Sequence, residues 1–295
     1  MKKVFFSNSG AEANECAIKA ARKYAAEHKG PEYHTIITLK NSFHGRTITT
    51  LAATGQDVFH HDFLPLTEGF AYAEANDLDD LKAQVAAHKC AAIMIEVVQG
   101  EGGVIPLTQE FVKGAAQLAA AQDILLICDE VQTGNGRTGK LYGYMHYGVK
   151  PDIVSTAKGL AGGLPLGATL LGEKVQDVLS AGTHGSTFGG NPVCCAGAIN
   201  VLSRLDEKML EGVEERSAYI KQELAGAKGV LGVSGLGLML GIQTEKNASD
   251  IIAACREKGV LVIKAKDKLR LLPALNIPME QLQKAVAVIK ACCAE

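Results

Sequence analysis

The sequence predicts an α/β protein whose mostly parallel sheet is covered by helices on both faces, plus a smaller C-terminal α+β domain. Two observations carry this. Short apolar, β-branched runs alternate with segments of helical period through about two thirds of the chain, the pattern of strands joined by crossover helices. From about Leu210 the order changes to helix, strands and a closing helix. At 295 residues, 47% hydrophobic and 21% charged, the chain is long enough to bury a sizeable core in two lobes. We divide it into a large domain over residues 1–200 and a small one over 201–295.

The strands of the large domain are expected at Lys3–Phe6, Thr35–Leu39, Ala91–Val97, Ile124–Cys128, Ile153–Thr156 and Leu166–Leu171. Between the first two, Ala11–Glu27 sets Ala17, Ile18, Ala21, Tyr24 and Ala25 on one helical face. Leu78–Ala87 and Phe111–Ala121 show the same period. Asn191-Pro192 caps a helix running towards Leu205, and its stretch around Val193–Arg204 joins the two lobes. Beyond it, strands are expected near Leu238–Gln243, Val260–Ile263 and Leu269–Leu272, with a helix from Met279.

A net charge of −2 gives no footprint for nucleic acid or an anionic membrane. No run approaches the roughly 20 apolar residues that span a bilayer. Val4-Phe5-Phe6 is too short for the apolar core of a signal peptide. The eight cysteines include the neighbours Cys194-Cys195 and Cys292-Cys293 but no metal-site spacing, so no metal is expected. The cysteines fit a reducing, cytoplasmic compartment, in which the sequon Asn247-Ala248-Ser249 carries little meaning.

The segments that bear chemistry lie after the strands. Ser155-Thr156-Ala157-Lys158-Gly159 puts a lysine between a strand and a glycine-rich loop, and Ile124–Cys128 ends in Asp129. One amine and one buried acid suit pyridoxal phosphate (PLP), whose aldehyde is held as a Schiff base by a lysine and whose ring nitrogen is kept protonated by a carboxylate. Taken alone, the pair also reads as a loop lysine and a helix-capping aspartate. Ser7-Asn8-Ser9-Gly10-Ala11 opens a helix, where free N–H groups and the dipole favour a phosphate, or where the residues serve as a plain cap. Phe43, in Ser42-Phe43-His44-Gly45-Arg46, stands where an aromatic can stack on a ligand or enter the core. Glu96 and Glu101 follow another strand, Glu101 in a glycine turn where it pairs with an arginine or with water. Gln132 is three residues past Asp129, and Gly182–Pro192 is a second glycine and hydroxyl loop before a helix.

In their order, SNSGAEANE, SFHGRT, QGEGG, DEVQTGNGRTGK, AKGLAGGLPLGA, HGSTFGGNP and LRLLP resemble the class III PLP-dependent aminotransferases of fold type I. The match runs from Val4 to the end and is closest to the acetylornithine branch. The resemblance implies Lys158 as the Schiff-base lysine and Asp129 as partner of the ring nitrogen. It implies Gln132 at the phenolate oxygen, Phe43 on the ring, Gly10 and Ala11 at the phosphate, and Thr187 at the phosphate of a neighbouring subunit, hence a homodimer. Arg270 would clamp the substrate carboxylate, a task for a bidentate guanidinium. Glu101 would pair with that arginine, and Ser186 would help bind substrate.

The implied reaction moves the δ-amino group of N2-acetylornithine to 2-oxoglutarate, with Lys158 carrying the proton and ping-pong kinetics. Two departures stand out. The family has Glu-Pro where this chain has Glu96-Val97, and a segment that in relatives precedes the first strand, completing the substrate pocket and dimer interface, is missing. Two alternatives follow: a PLP-binding remnant without activity, or a related ω-aminotransferase acting on succinylornithine, ornithine or 4-aminobutyrate. A nucleotide-dependent oxidoreductase is disfavoured, since no G-x-G-x-x-G follows the first strand.

Overall fold

The computed structural model describes all residues, 1–295. In chain order the elements are β1 (Lys3–Ser7), α1 (Gly10–His28), β2 (Thr35–Leu39), α2 (Ile48–Ala53), β3 (Phe70–Ala73), α3 (Leu78–Ala87) and β4 (Cys90–Ile95). Then come β5 (Val98–Gln99), β6 (Ile105–Pro106), α4 (Gln109–Ala121), β7 (Leu125–Asp129), β8 (Ile153–Thr156), β9 (Gly167–Leu171) and α5 (Pro192–Leu202). The chain closes with α6 (Glu207–Leu224), β10 (Val230–Leu236), β11 (Met239–Thr244), α7 (Ala248–Glu257), β12 (Ile263–Ala265), β13 (Lys268–Leu271) and α8 (Met279–Ala294).

The chain forms two compact units. The first comprises residues 1–97, 107–135 and 144–204; the second comprises 98–106, 136–143 and 205–295. Two short pieces of the first 200 residues therefore belong to the second unit.

The first unit holds a seven-stranded sheet in the order β1-β9-β8-β7-β4-β2-β3. Strands β8, β7, β4, β2 and β3 pair in parallel, while β9 runs antiparallel to both β8 and β1. Every residue of β2, β4 and β7 is buried, so both faces of the central strands are covered, as expected of a parallel sheet. On one face α1 packs Ala17, Ile18, Ala21 and Ala25 against Ile36, Met94, Leu125, Ile127 and Ile153. The alanines let the helix approach closely, which brings its N-terminus beside the end of β7. The second unit holds the sheet β10-β11-β13-β12, all antiparallel, covered by α6, α7 and α8 through Ile220, Leu224, Ile251, Val286 and Ile289.

Several elements differ from the sequence expectation. Strand β4 stops at Ile95 rather than Val97, which leaves the Glu96 carboxylate to accept the N–H of Phe43. The expected strand at Val260–Ile263 is displaced to Ile263–Ala265, because the Val260 N–H caps α7 on the Cys255 carbonyl. The joining helix ends at Leu202, and α6 starts at Glu207, where Asp206 accepts the Met209 N–H at 2.8 Å. Strands β3, β5, β6 and β10 have no counterpart among the expected strands.

Candidate active site

The parallel strands of the first unit deliver polar groups just past their C-terminal ends, the place where open α/β sheets bind ligands. Asp129, the last residue of β7, is buried. Its Oδ2 accepts from Asn14 Nδ2 at 2.7 Å and lies 2.8 Å from His44 Nδ1, while its Oδ1 accepts the Val131 N–H at 3.0 Å. Both carboxylate oxygens are therefore hydrogen-bonded. His44 is fully enclosed: burial pulls its pKa down, but its hydrogen bond to Asp129 and that residue's charge outweigh burial and leave it raised. Glu96 is also buried and accepts the Phe43 N–H at 2.9 Å. Burial pushes its carboxyl up to about 7, with His44 and Lys158 pulling down and Asp129 pushing up.

The turn from β1 into α1 is built as a cap. Ser9 Oγ accepts the Glu12 N–H at 3.2 Å, and Glu12 reaches back to the Asn8 N–H at 2.7 Å. The N–H groups of Gly10 and Ala11 have no acceptor within the helix, the kind of helix end that favours an anion. Gly10 is required by packing, since a Cβ there would lie 2.5 Å from Val131 Cγ1. That contact sets the helix end directly beside the Asp129 turn. Asn8 also donates to Ser186 Oγ at 3.1 Å, which ties the loop bearing Ser186 and Thr187 to the same turn. Thr187 is exposed in that loop.

Lys158 follows β8 with φ +48°, a left-handed conformation unusual for a residue with a side chain. Asn135 holds the preceding backbone, donating to Thr156 Oγ1 and to the Ala157 carbonyl, both at 3.0 Å. The lysine is exposed, and its charge reaches Glu96. Phe43 is half-buried and meets Phe59 edge-on at 5.8 Å. Gln132 is half-buried one residue after Val131.

In the second unit, Arg270 of β13 pairs with Glu101, Nη1 to Oε1 at 2.6 Å, with the arginine side chain only 8% exposed. Glu101 lies in the turn between β5 and β6, where Val104 takes φ +52° and its carbonyl accepts from Ser234 Oγ at 2.8 Å.

The first unit thus combines an exposed amine, a buried, hydrogen-bonded carboxylate, a helix N-terminus with free donors and a half-buried aromatic ring. That donor set fits PLP, with its aldehyde, pyridine nitrogen, phosphate and flat ring. Sequence reasoning missed Asn14 and gave no task to His44 or Glu96. The one local signal for Asn14 is a poor helix former among alanines on the buried face of α1.

Residues 1–293 match the family described as aminotransferase class-III. The acetylornithine aminotransferase of Haemophilus ducreyi is 51% identical over 297 residues, covering 100% of this chain and 76% of that protein. A succinylornithine transaminase of Salmonella paratyphi A is 45% identical over 302 residues, covering 99% and 74%. Among solved structures, the ornithine aminotransferase of Toxoplasma gondii ME49 superposes with a TM-score of 0.94 at 34% identity, covering 99% of this chain and 72% of that one. The N-acetylornithine aminotransferase of Stenotrophomonas maltophilia K279a gives 0.85 at 35% identity, covering 99% and 75%.

Proposed function

Because this chain belongs to the class-III aminotransferases, we propose that it binds PLP and transfers the δ-amino group of N2-acetylornithine to 2-oxoglutarate. The observation that carries the reading is the network at Asp129, a buried carboxylate that accepts from Asn14 and the Val131 N–H and meets His44 Nδ1, next to a helix N-terminus. Relatives named for acetylornithine and succinylornithine support an acyl-ornithine donor.

In this reading Gly10 and Ala11 would hold the phosphate, Phe43 would cover the ring, Asp129 would pair with the ring nitrogen and Gln132 with the phenolate oxygen. When bound, PLP would supply an aldehyde for a Schiff base and an electron-accepting ring. Lys158 would hold the aldehyde and, as a general base, would move the proton of the substrate's δ-carbon. An ammonium could not do this, so the neutral amine is the working form. Arg270 clamps a substrate carboxylate, and its bond to Glu101 lets the clamp be occupied or freed as the two substrates alternate. Ser186 supports the substrate side.

A homodimer completes the reading, with Thr187 serving the neighbouring subunit's phosphate. It is supported by α5, which leaves Val193 68% and Ile199 70% exposed, and by Phe188, 71% exposed, in the preceding loop. No helix is long and apolar enough to cross a membrane. Eight free cysteines support a reducing, cytoplasmic setting.

The test is product analysis with added PLP and 2-oxoglutarate, offering N2-acetylornithine, N2-succinylornithine, ornithine and 4-aminobutyrate in parallel. Glutamate formed fastest from an acyl-ornithine supports the reading. Faster transfer from ornithine or 4-aminobutyrate replaces the substrate assignment, and PLP binding without glutamate from any donor overturns the activity.

A further inference from the structure

Asn14 lies one turn into α1 on its buried face, 1% exposed. Its amide nitrogen is 2.7 Å from Asp129 Oδ2 and 2.7 Å from the His44 carbonyl oxygen. Both partners are acceptors, so both amide hydrogens are committed and the amide can stand only one way round. Turned over, its oxygen would face two oxygens.

That orientation settles a proton. His44 Nδ1 is 2.8 Å from the same Oδ2, a contact that forms with the proton on either residue. Oδ2 already takes a hydrogen from Asn14, and Oδ1 takes one from the Val131 N–H. A carboxyl proton on Oδ2 would point at His44 and lose the charge that strengthens the other two bonds. The network therefore assigns the proton to His44 Nδ1. The arrangement has its own cost, because Asn14 Oδ1 and His44 Nε2 are buried without partners. A side chain kept for packing alone would not bear that cost when a leucine of similar shape has no polar atom to satisfy.

We infer that Asn14 is a positioning residue: by donating to Asp129 and to the His44 backbone together, it keeps Asp129 the unprotonated acceptor that a protonated pyridine nitrogen requires. The inference rests on the reading that PLP binds this unit. It joins three parts that the sequence holds far apart, the phosphate-binding helix, the loop that carries Phe43 and the acid at the end of β7.

The test compares binding of PLP and of its 1-deaza analogue, in which a carbon replaces the ring nitrogen, to the wild type and to Asn14→Leu. Affinities are read from the protein's own tyrosine fluorescence and from retained cofactor absorbance, not from turnover. Loss of one hydrogen bond to a buried charge should weaken PLP binding about tenfold or more, while the analogue loses little, so the preference for PLP collapses. Equal loss for both cofactors would mean that Asn14 merely packs, and would overturn the inference.

A second measurement needs neither a variant nor a cofactor. In histidine-15N-labelled wild-type protein, His44 should carry its proton on Nδ1, bonded to an anionic Asp129. A bare Nδ1 would place the proton on the acid and overturn the inference, even if Asn14→Leu does not fold. If the wild type binds neither PLP nor the analogue, the reading of this unit as a PLP site fails, and the histidine spectrum alone then decides the role of Asn14.

Discussion

Replacing Glu96 with Gln should change how stability depends on pH. Glu96 is 6% exposed, and its Oε2 accepts the Phe43 N–H. Burial raises its carboxyl from 4.5 to about 7. In the unfolded chain the same group releases its proton near the ordinary value. Between those two values the native protein holds a proton that the unfolded chain has lost. The native state is therefore favoured most below pH 4.5, and that advantage drains away as pH rises to about 7. A displacement of that size corresponds to about 3 kcal/mol over the window. Glutamine keeps an oxygen for the Phe43 N–H but does not titrate. Chemical denaturation of both proteins at a series of pH values, read as the difference between them, cancels the titrating groups that do not interact with Glu96 and leaves Glu96 with its coupled neighbour His44. Relative to the wild type, Glu96→Gln should gain about 3 kcal/mol from the acid end of the window to its neutral end and then level off. A difference that stays constant with pH would show that Glu96 is already ionised in the native state and would refute this account of its burial.

Gly167→Ala would set a Cβ 2.3 Å from the Ser9 carbonyl oxygen, a backbone atom that cannot swing aside. It should cost about 1–3 kcal/mol in chemical denaturation and, by moving the cap of α1, weaken PLP retention in dialysis. Arg270→Lys keeps the charge but not the flat guanidinium, whose Nη1 now meets Glu101. KM for the carboxylate substrates should rise about tenfold with little change in PLP binding, read by steady-state kinetics. Ile199→Asp places a charge on the exposed apolar side of α5 and should shift light scattering from dimer to monomer without altering far-ultraviolet circular dichroism.

Much of the first unit was legible because its central strands are runs rich in apolar and β-branched residues bounded by turn residues. Leu125–Asp129 is one, and its terminal acid marked itself by ending such a run. The cap at Ser9 and Glu12 was equally local. By contrast, β10 reads Val-Leu-Gly-Val-Ser-Gly-Leu, whose glycines and serine suggest a loop, and its pairing with β11 shifts register between Val230 and Gly232. Only packing against a neighbour makes it a strand. Strand β3 is four residues at the sheet edge, too short to show a period. The task of Asn14 was hidden for another reason: its partner Asp129 lies 115 residues away, and no local pattern announces a hydrogen bond across the fold. Glu101 and Arg270, 169 residues apart, were joined beforehand only by family resemblance. The left-handed backbone of Lys158 left no trace in its residue type.

The central claim is that Lys158 holds PLP and carries the first half of the transfer. The visible absorption spectrum of the purified chain with PLP, before and after N2-acetylornithine and beside Lys158→Ala, tests it most directly. The account predicts a cofactor band that requires Lys158 and gives way to the pyridoxamine phosphate spectrum when the amine is added. A band that survives in Lys158→Ala, or one that the amine leaves unchanged, would contradict it.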